Sequence, residues 1–276
     1  MHSQGRLVIA SMVTVFALTT HAGAEGLPDI LGIQLGMPAR DAHAKLQAAL
    51  PKNKIQVQSV NLPTIEKPVI STFSSMPGGT IAMGMEADEV EVYVTVPPNK
   101  QSVWQVARRH YFPNNGIPRP TLLASLREKY GKESRATDSQ GKSTTDDKQI
   151  VALLWLMDVQ GRPAMLPPLH DGVVDPISTC QKGGFGKPNF LGDVPLHQSY
   201  GNKDYEWCLS SYTAVNVTLI QSAAMPELYE QMEVGFISLP VGARAGEATR
   251  KWKQDIAEGK YKQELEKAQQ QDKPKL

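Results

Sequence analysis

Long apolar runs are scarce in this sequence. Beyond residue 24 nothing approaches the roughly 20 consecutive apolar residues that a bilayer-spanning helix needs, so the chain reads as one that does not stay in a membrane. Charge of one sign is lacking as well: 29 Lys and Arg face 28 Asp and Glu. That balance gives no electrostatic reason to favour nucleic acid or an acidic lipid surface. Catalytic signatures are missing too. There is no Gly-x-Ser-x-Gly elbow, no His-Glu-x-x-His and no dinucleotide fingerprint. Gly183-Gly184-Phe185-Gly186-Lys187 fails as a phosphate loop, because Gln181 stands where a glycine is needed and Pro188 replaces the metal-binding Ser or Thr.

Cysteine occurs only twice, at Cys180 and Cys208, and its meaning depends on the compartment. Arg6 is the only charge before the apolar run Leu7 to Leu18, which gives way to Thr19-Thr20-His21-Ala22-Gly23-Ala24. A lone positive charge, a short apolar core and a small-x-small end predict a secretory signal peptide, residues 1–24, cut after Ala24 to leave Glu25 first. No cysteine lies beside that cut, which argues against a lipid anchor. The mature chain then carries 28 basic and 28 acidic residues and is expected in the periplasm or outside the cell. In an oxidising space Cys180 and Cys208 read as a disulfide, not a redox pair, since the spacing is nothing like Cys-x-x-Cys. Closing that loop should stabilise the fold by about 3.5 kcal/mol in the chain-entropy model.

The remainder falls into two cycles of one pattern, residues 25–117 and 118–242, followed by a C-terminal helix and tail, 243–276. In the first cycle Pro38 suits a helix start and Asp41 lies where the helix dipole favours negative charge. Ala39, Ala42, Leu46, Ala49 and Leu50 recur at helical spacing. His43 falls on the polar side of this helix. Strand-like stretches follow at Lys54 to Val60, Val69 to Ser74, Thr80 to Met85, Val90 to Val96 and Val103 to Phe112. Of these, Thr80–Met85 and Val90–Val96 read as a hairpin, and Pro97-Pro98-Asn99 reads as a turn.

The second cycle opens at Pro118-Arg119-Pro120 with a helix whose Leu122, Leu123, Leu126 and Tyr130 share a face, capped by Gly131. The polar stretch Lys132 to Lys148 reads as a loop. Ile150 to Val159 is the most apolar strand and is expected at the centre of the sheet. Tyr212 to Ile220 and Glu230 to Leu239 complete the set. Helix followed by several antiparallel strands, twice over, predicts an α+β fold with helices packed on an antiparallel sheet. In the last segment Ala245, Ala248, Trp252, Ile256, Tyr261 and Leu265 lie along one side of a helix, anchored by Trp252 and Ile256. Beyond Gly259 that helix has little apolar surface and is expected to project.

The run Leu31-Gly32-Ile33-Gln34-Leu35-Gly36-Met37-Pro38 resembles the Gly-x-x-x-Gly-Met helix start of exported bacterial modules. Such a start is found in the β-lactamase-inhibitor-protein-like modules and in the outer-membrane-assembly lipoproteins of the SmpA type. Leu126-Arg127-Glu128-Lys129-Tyr130-Gly131 and the terminal Pro274-Lys275-Leu276 resemble exported proteins of proteobacteria. The resemblance spans about a tenth of the chain and rests on a helix entry, so it carries over no functional residue. It implies a small helix-on-sheet module used for protein contacts. The missing lipobox departs from the SmpA pattern.

Candidate site residues are few. On a strand from Val103 to Phe112, Arg108 and His110 point one way and Arg109 and Tyr111 the other, so Arg108 and His110 form a candidate anion-binding or partner-contact patch. His170, Asp171 and Asp175 carry metal-binding or acid–base chemistry in type, but no third ligand is evident beyond a folded-in His197. The leading expectation is a non-catalytic binding protein of the cell envelope, without cofactor, whose partner is another envelope protein. The competing expectations are a metal-assisted hydrolase using His170 and Asp171, and a carrier of a small apolar ligand lined by Trp155, Met157 and Phe236. The oligomeric state is left open.

Overall fold

The computed structural model describes residues 28–78, 85–158, 161–164 and 213–269. Cys180, Cys208, His170, Asp171, Asp175 and His197 lie outside them, as do the leader and the stretch 79–84. Helix α1 (Ala39–Ala49) is followed by β1 (Lys54–Val60), β2 (Val69–Met76), β3 (Ala87–Val94) and β4 (Val103–Tyr111). After the two-residue β5 (Ile117–Pro118), helix α2 (Arg119–Tyr130) leads to β6 (Arg135–Thr137), β7 (Ala152–Met157), β8 (Thr213–Gln221) and β9 (Leu228–Ser238). Helix α3 (Leu239–Gln269) ends the described chain. The strands form one antiparallel sheet in the order β1-β2-β3-β4-β9-β8-β7-β6, with β5 continuing the lane of β4 beside β9. The fold is α+β, as the sequence implies.

The repeated plan is visible in the topology. Each helix starts after a proline held at nearly the same angles, φ −57°, ψ 141° at Pro38 and φ −56°, ψ 133° at Pro118. The first strand of each meander begins five residues after its helix ends. The two four-stranded meanders then join through their last strands, β4 and β9, at the middle of the sheet. At the end of α2 the chain reverses through Gly131 at φ 79°, a left-handed angle that disfavours any side chain.

The main core is a row of cross-strand partners. Phe73, Val92, Val106, Phe236, Val215 and Trp155 face one another in register across six adjacent strands, all buried. They pack with Ala39, Ala42 and Leu46 of α1 and Leu122, Leu123 and Leu126 of α2. Both helices therefore press on the same face. Trp155, Met157 and Phe236, expected to line a ligand pocket in the carrier reading, are members of this packed core. Trp155 lies beside the Tyr130 ring at 5.3 Å and donates its indole N–H to Gly131 O at 2.9 Å.

Four expectations need correction. The strand Ala152–Met157 is second from the edge, between β6 and β8, and not central. Its apolarity comes from burial on both faces, with Trp155 in the main core and Leu154 and Leu156 buried on the other side. Of the expected hairpin between Thr80–Met85 and Val90–Val96, residues 80–84 lie outside the described residues, and Val90 to Tyr93 pair with β2 on one side and β4 on the other. The stretch Lys132 to Lys148 is no plain loop: it holds β6, and Arg127 clamps Glu133 at 2.6 Å and Asp147 at 2.9 Å across it. Ala49 is exposed and does not extend the buried stripe of α1. His43 is half-buried, its ring edge-on to Phe73 at 5.1 Å.

Helix α3 begins four residues earlier than its expected start, and at 31 residues spans about 46 Å. Its first turns lie against the sheet face opposite α1 and α2, through the small residues Gly242, Ala243, Ala245, Gly246 and Thr249. The β3–β4 turn is tied to it, with Asn99 Nδ2 at 3.1 Å from Ala245 O and Thr249 Oγ1 at 3.0 Å from Pro97 O. From Ala257 onward every described side chain is exposed, Tyr261 at 66%. The helix projects, as its polar second half predicts. No helix among the described residues is long and apolar enough to cross a membrane.

Candidate functional site

Strand β4 runs through the middle of the sheet and carries charge on both of its faces. The alternation of a strand sends Arg108 and His110 to the face covered by α1 and α2, and Arg109 and Tyr111 to the other. The turn at Pro97-Pro98-Asn99 folds β3 back so that Asp88 pairs with His110 and Glu89 with Arg109. Two acids thereby meet two bases and an imidazole.

On the covered face the three groups close on one another. Arg108 Nε donates to Asp88 Oδ1 at 2.6 Å, and His110 Nδ1 lies 2.9 Å from the same oxygen. His110 Nδ1 is also 3.2 Å from Arg108 Nη2. One ring nitrogen cannot donate to the carboxylate and accept from the guanidinium at once. A proton on Nδ1 satisfies the carboxylate, which is the stronger, charge-assisted bond. Asn53 Nδ2 donates to Asp88 O at 2.9 Å, and the His110 ring stands edge-on to Phe112 at 4.7 Å. Burial alone would raise the Asp88 pKa; the hydrogen bonds from His110 and Arg108, with the charge of both, outweigh it and hold the carboxyl below its usual range. Tyr130, at the end of α2, is pushed up to about 12 by burial and by the charge of Asp29, against the pull of Arg108.

On the other face Arg109 bridges three strands. Its Nη1 donates to Glu89 Oε2 at 2.9 Å and its Nε to Glu233 Oε1 at 2.7 Å, while Gln231 Nε2 donates to that same Glu233 oxygen at 3.0 Å. The side chains of Arg109, Glu89 and Glu233 are 30%, 23% and 20% exposed. Tyr93 donates its hydroxyl to Glu91 one row further along. Ala107, Gly235 and Asn216 continue the Glu91 row in register, and the Asn216 amide leans over Gly235, where a Cβ would meet its oxygen at 2.2 Å. Around Arg109 this face is polar and half-exposed.

The expected patch of Arg108 and His110 thus exists as a pair on one face, but its surroundings differ from those of a patch open to solvent. Both side chains are mostly buried, at 23% and 10% exposure, and both are turned onto Asp88. Asp88, Glu89 and Glu233 are not among the candidates that the sequence suggests. The first two could have been found by reflecting β4 about Asn99; nothing local points to Glu233, which is 124 residues from Arg109. Among the described residues no group of three or more His, Cys, Asp or Glu is placed to hold a metal ion. Comparison with protein-family models, with curated proteins and with solved structures finds no match to this chain.

Proposed function

We propose that this chain is a non-catalytic binding protein of the cell envelope, exported through its leader, which engages another envelope protein with the half-exposed face of its sheet. The observation that carries the reading is the Glu89–Arg109–Glu233 row across the three central strands. An antiparallel sheet with one face covered by helices and the other left partly wet offers a wide, rigid surface. Charged side chains held in place by their neighbours suit selective contact with a protein more than proton transfer. The buried Asp88–Arg108–His110 group, by contrast, turns its functional atoms onto itself. The helix-then-meander plan, met twice, is in keeping with the resemblance to β-lactamase-inhibitor-protein-like and SmpA-type modules.

The test is affinity capture from native envelope extract with three immobilised forms: the natural chain, Arg109→Glu, and Thr218→Arg, which adds bulk beside Glu233. The expected result is a stoichiometric partner retained by the natural chain and lost by both variants while their circular dichroism is unchanged. Equal retention by all three forms, or no retention above control, rejects the reading.

A further inference from the structure

The two outer edges of the sheet are treated differently. Strand β6 is three residues long, and the chain after it folds back along its free side. Thr137 bridges Ser143, the Thr144 N–H donates to Ala136 O at 3.0 Å, and Arg135 Nη2 donates to Gly141 O at 3.2 Å. Strand β1 has seven residues and, among the described residues, pairs only with β2. Every second N–H and C=O on its outer side therefore has no strand partner among the described residues. Lys54, Gln56, Val57, Gln58 and Ser59 are exposed, Val57 at 47%. Natural edges are blunted by charge, proline, bulges or short length. From Lys54 to Gln58 there is one charge, no proline and unbroken register, and the bulge lies just beyond, between Gln58 and Ser59.

The side chains on this run are self-complementary. We propose that β1 is a self-association edge, at which a second copy of the chain adds its own β1 antiparallel about a two-fold axis through Gln56. That register sets Gln56 against its own counterpart, Ile55 against Val57 and Lys54 against Gln58. No like charges meet. Two Ile–Val pairs form on the face that carries α1 and α2, and amide-bearing side chains line the other, at the 4.5–5.5 Å Cβ spacing typical of directly opposed residues. The two sheets become one continuous sheet through both copies. A contact of a few strand residues is small, so the dimer forms reversibly and depends on concentration. It leaves the Arg109 face uncovered and stands independently of the function proposed above.

Sedimentation equilibrium on the mature chain over a wide concentration range tests this. The natural chain should pass from one chain mass towards two. Gln56→Lys sets two ammonium groups face to face and should weaken association at least tenfold; Gln56→Glu should do the same with two carboxylates. An equimolar mixture of the two variants should regain the dimer, because unlike charges then meet across the axis. Position 56 is exposed, so thermal melting of each variant at low concentration should match the natural chain. A natural chain that stays monomeric throughout, a dimer that survives Gln56→Lys, or a mixture that fails to reassociate overturns the proposal.

Discussion

The two faces of β4 hold similar charges under different conditions. On one face Arg108 lies under the helices and shares the more buried Asp88 and His110, 14% and 10% exposed; on the other Arg109, 30% exposed, lies between Glu89 and Glu233, 23% and 20% exposed. Two residues of one type, adjacent in sequence, are thus placed in different surroundings. Removing a partner from the shielded group strands a charge where water cannot replace it. Removing a partner from the wetter row lets solvent step in. Breaking a shielded pair is costly, and the wetter row is the one that the proposed partner would meet.

The largest expected effect follows from that contrast. Asp88→Ala should destabilise the protein by about 2–4 kcal/mol, since it leaves Arg108 and His110 largely buried without their acceptor. Arg109→Ala should cost no more than about 1 kcal/mol, because solvent screens a partly exposed row. Urea unfolding of both variants beside the natural chain measures the gap. Equal losses would erase the distinction between the faces.

Acid sharpens the same comparison. The folded-state pKa of Asp88 lies below its unfolded value, so its contribution is complete above the unfolded pKa of about 4 and is lost as pH falls through the folded value. Asp88→Asn removes that dependence. The stability difference between the natural chain and Asp88→Asn should narrow steadily as pH falls below about 4. Glu133 and Asp147, whose carboxyls are also held low by Arg127, remain in both proteins and cancel in the difference. A gap that does not change with pH would show that the carboxylate charge of Asp88 is not what stabilises the covered face.

These contrasts mark what a linear reading can and cannot reach. The helix stripes, the Gly131 cap and the span of β1 follow from local spacing, because each depends on residues within a turn or a strand of one another. The separation of Arg108 and Arg109 onto opposite faces is also local, a consequence of strand alternation. What escapes is the content of each face. Val234 and Glu233 reach β4 from the far end of the chain, across the junction of the two meanders, and no periodicity near β4 announces them. The placement of β7 fails for a related reason. Two-sided apolarity signals burial, but a strand one place from the edge is buried as fully as a central one when α2 lies on one face and side chains such as Leu154 and Leu156 are buried on the other.

The smallest effect belongs to α3, where the covered and wet conditions occur along a single helix. Its first turns present Ala243, Ala245 and Thr249 to the sheet and receive the β3–β4 turn, whereas the described residues from Ala257 to Lys267 touch solvent throughout. Ending the chain after Glu258 should therefore change unfolding stability by less than about 0.5 kcal/mol, the range expected for exposed positions. Thr249→Val, which keeps the shape but removes the hydroxyl facing Pro97 O, should cost about 1 kcal/mol. Paired thermal melts of the two variants decide the matter. Should the truncation prove the more damaging, the projecting half would be a structural part of the fold, and its exposed, evenly mixed charges would need a partner within the same chain.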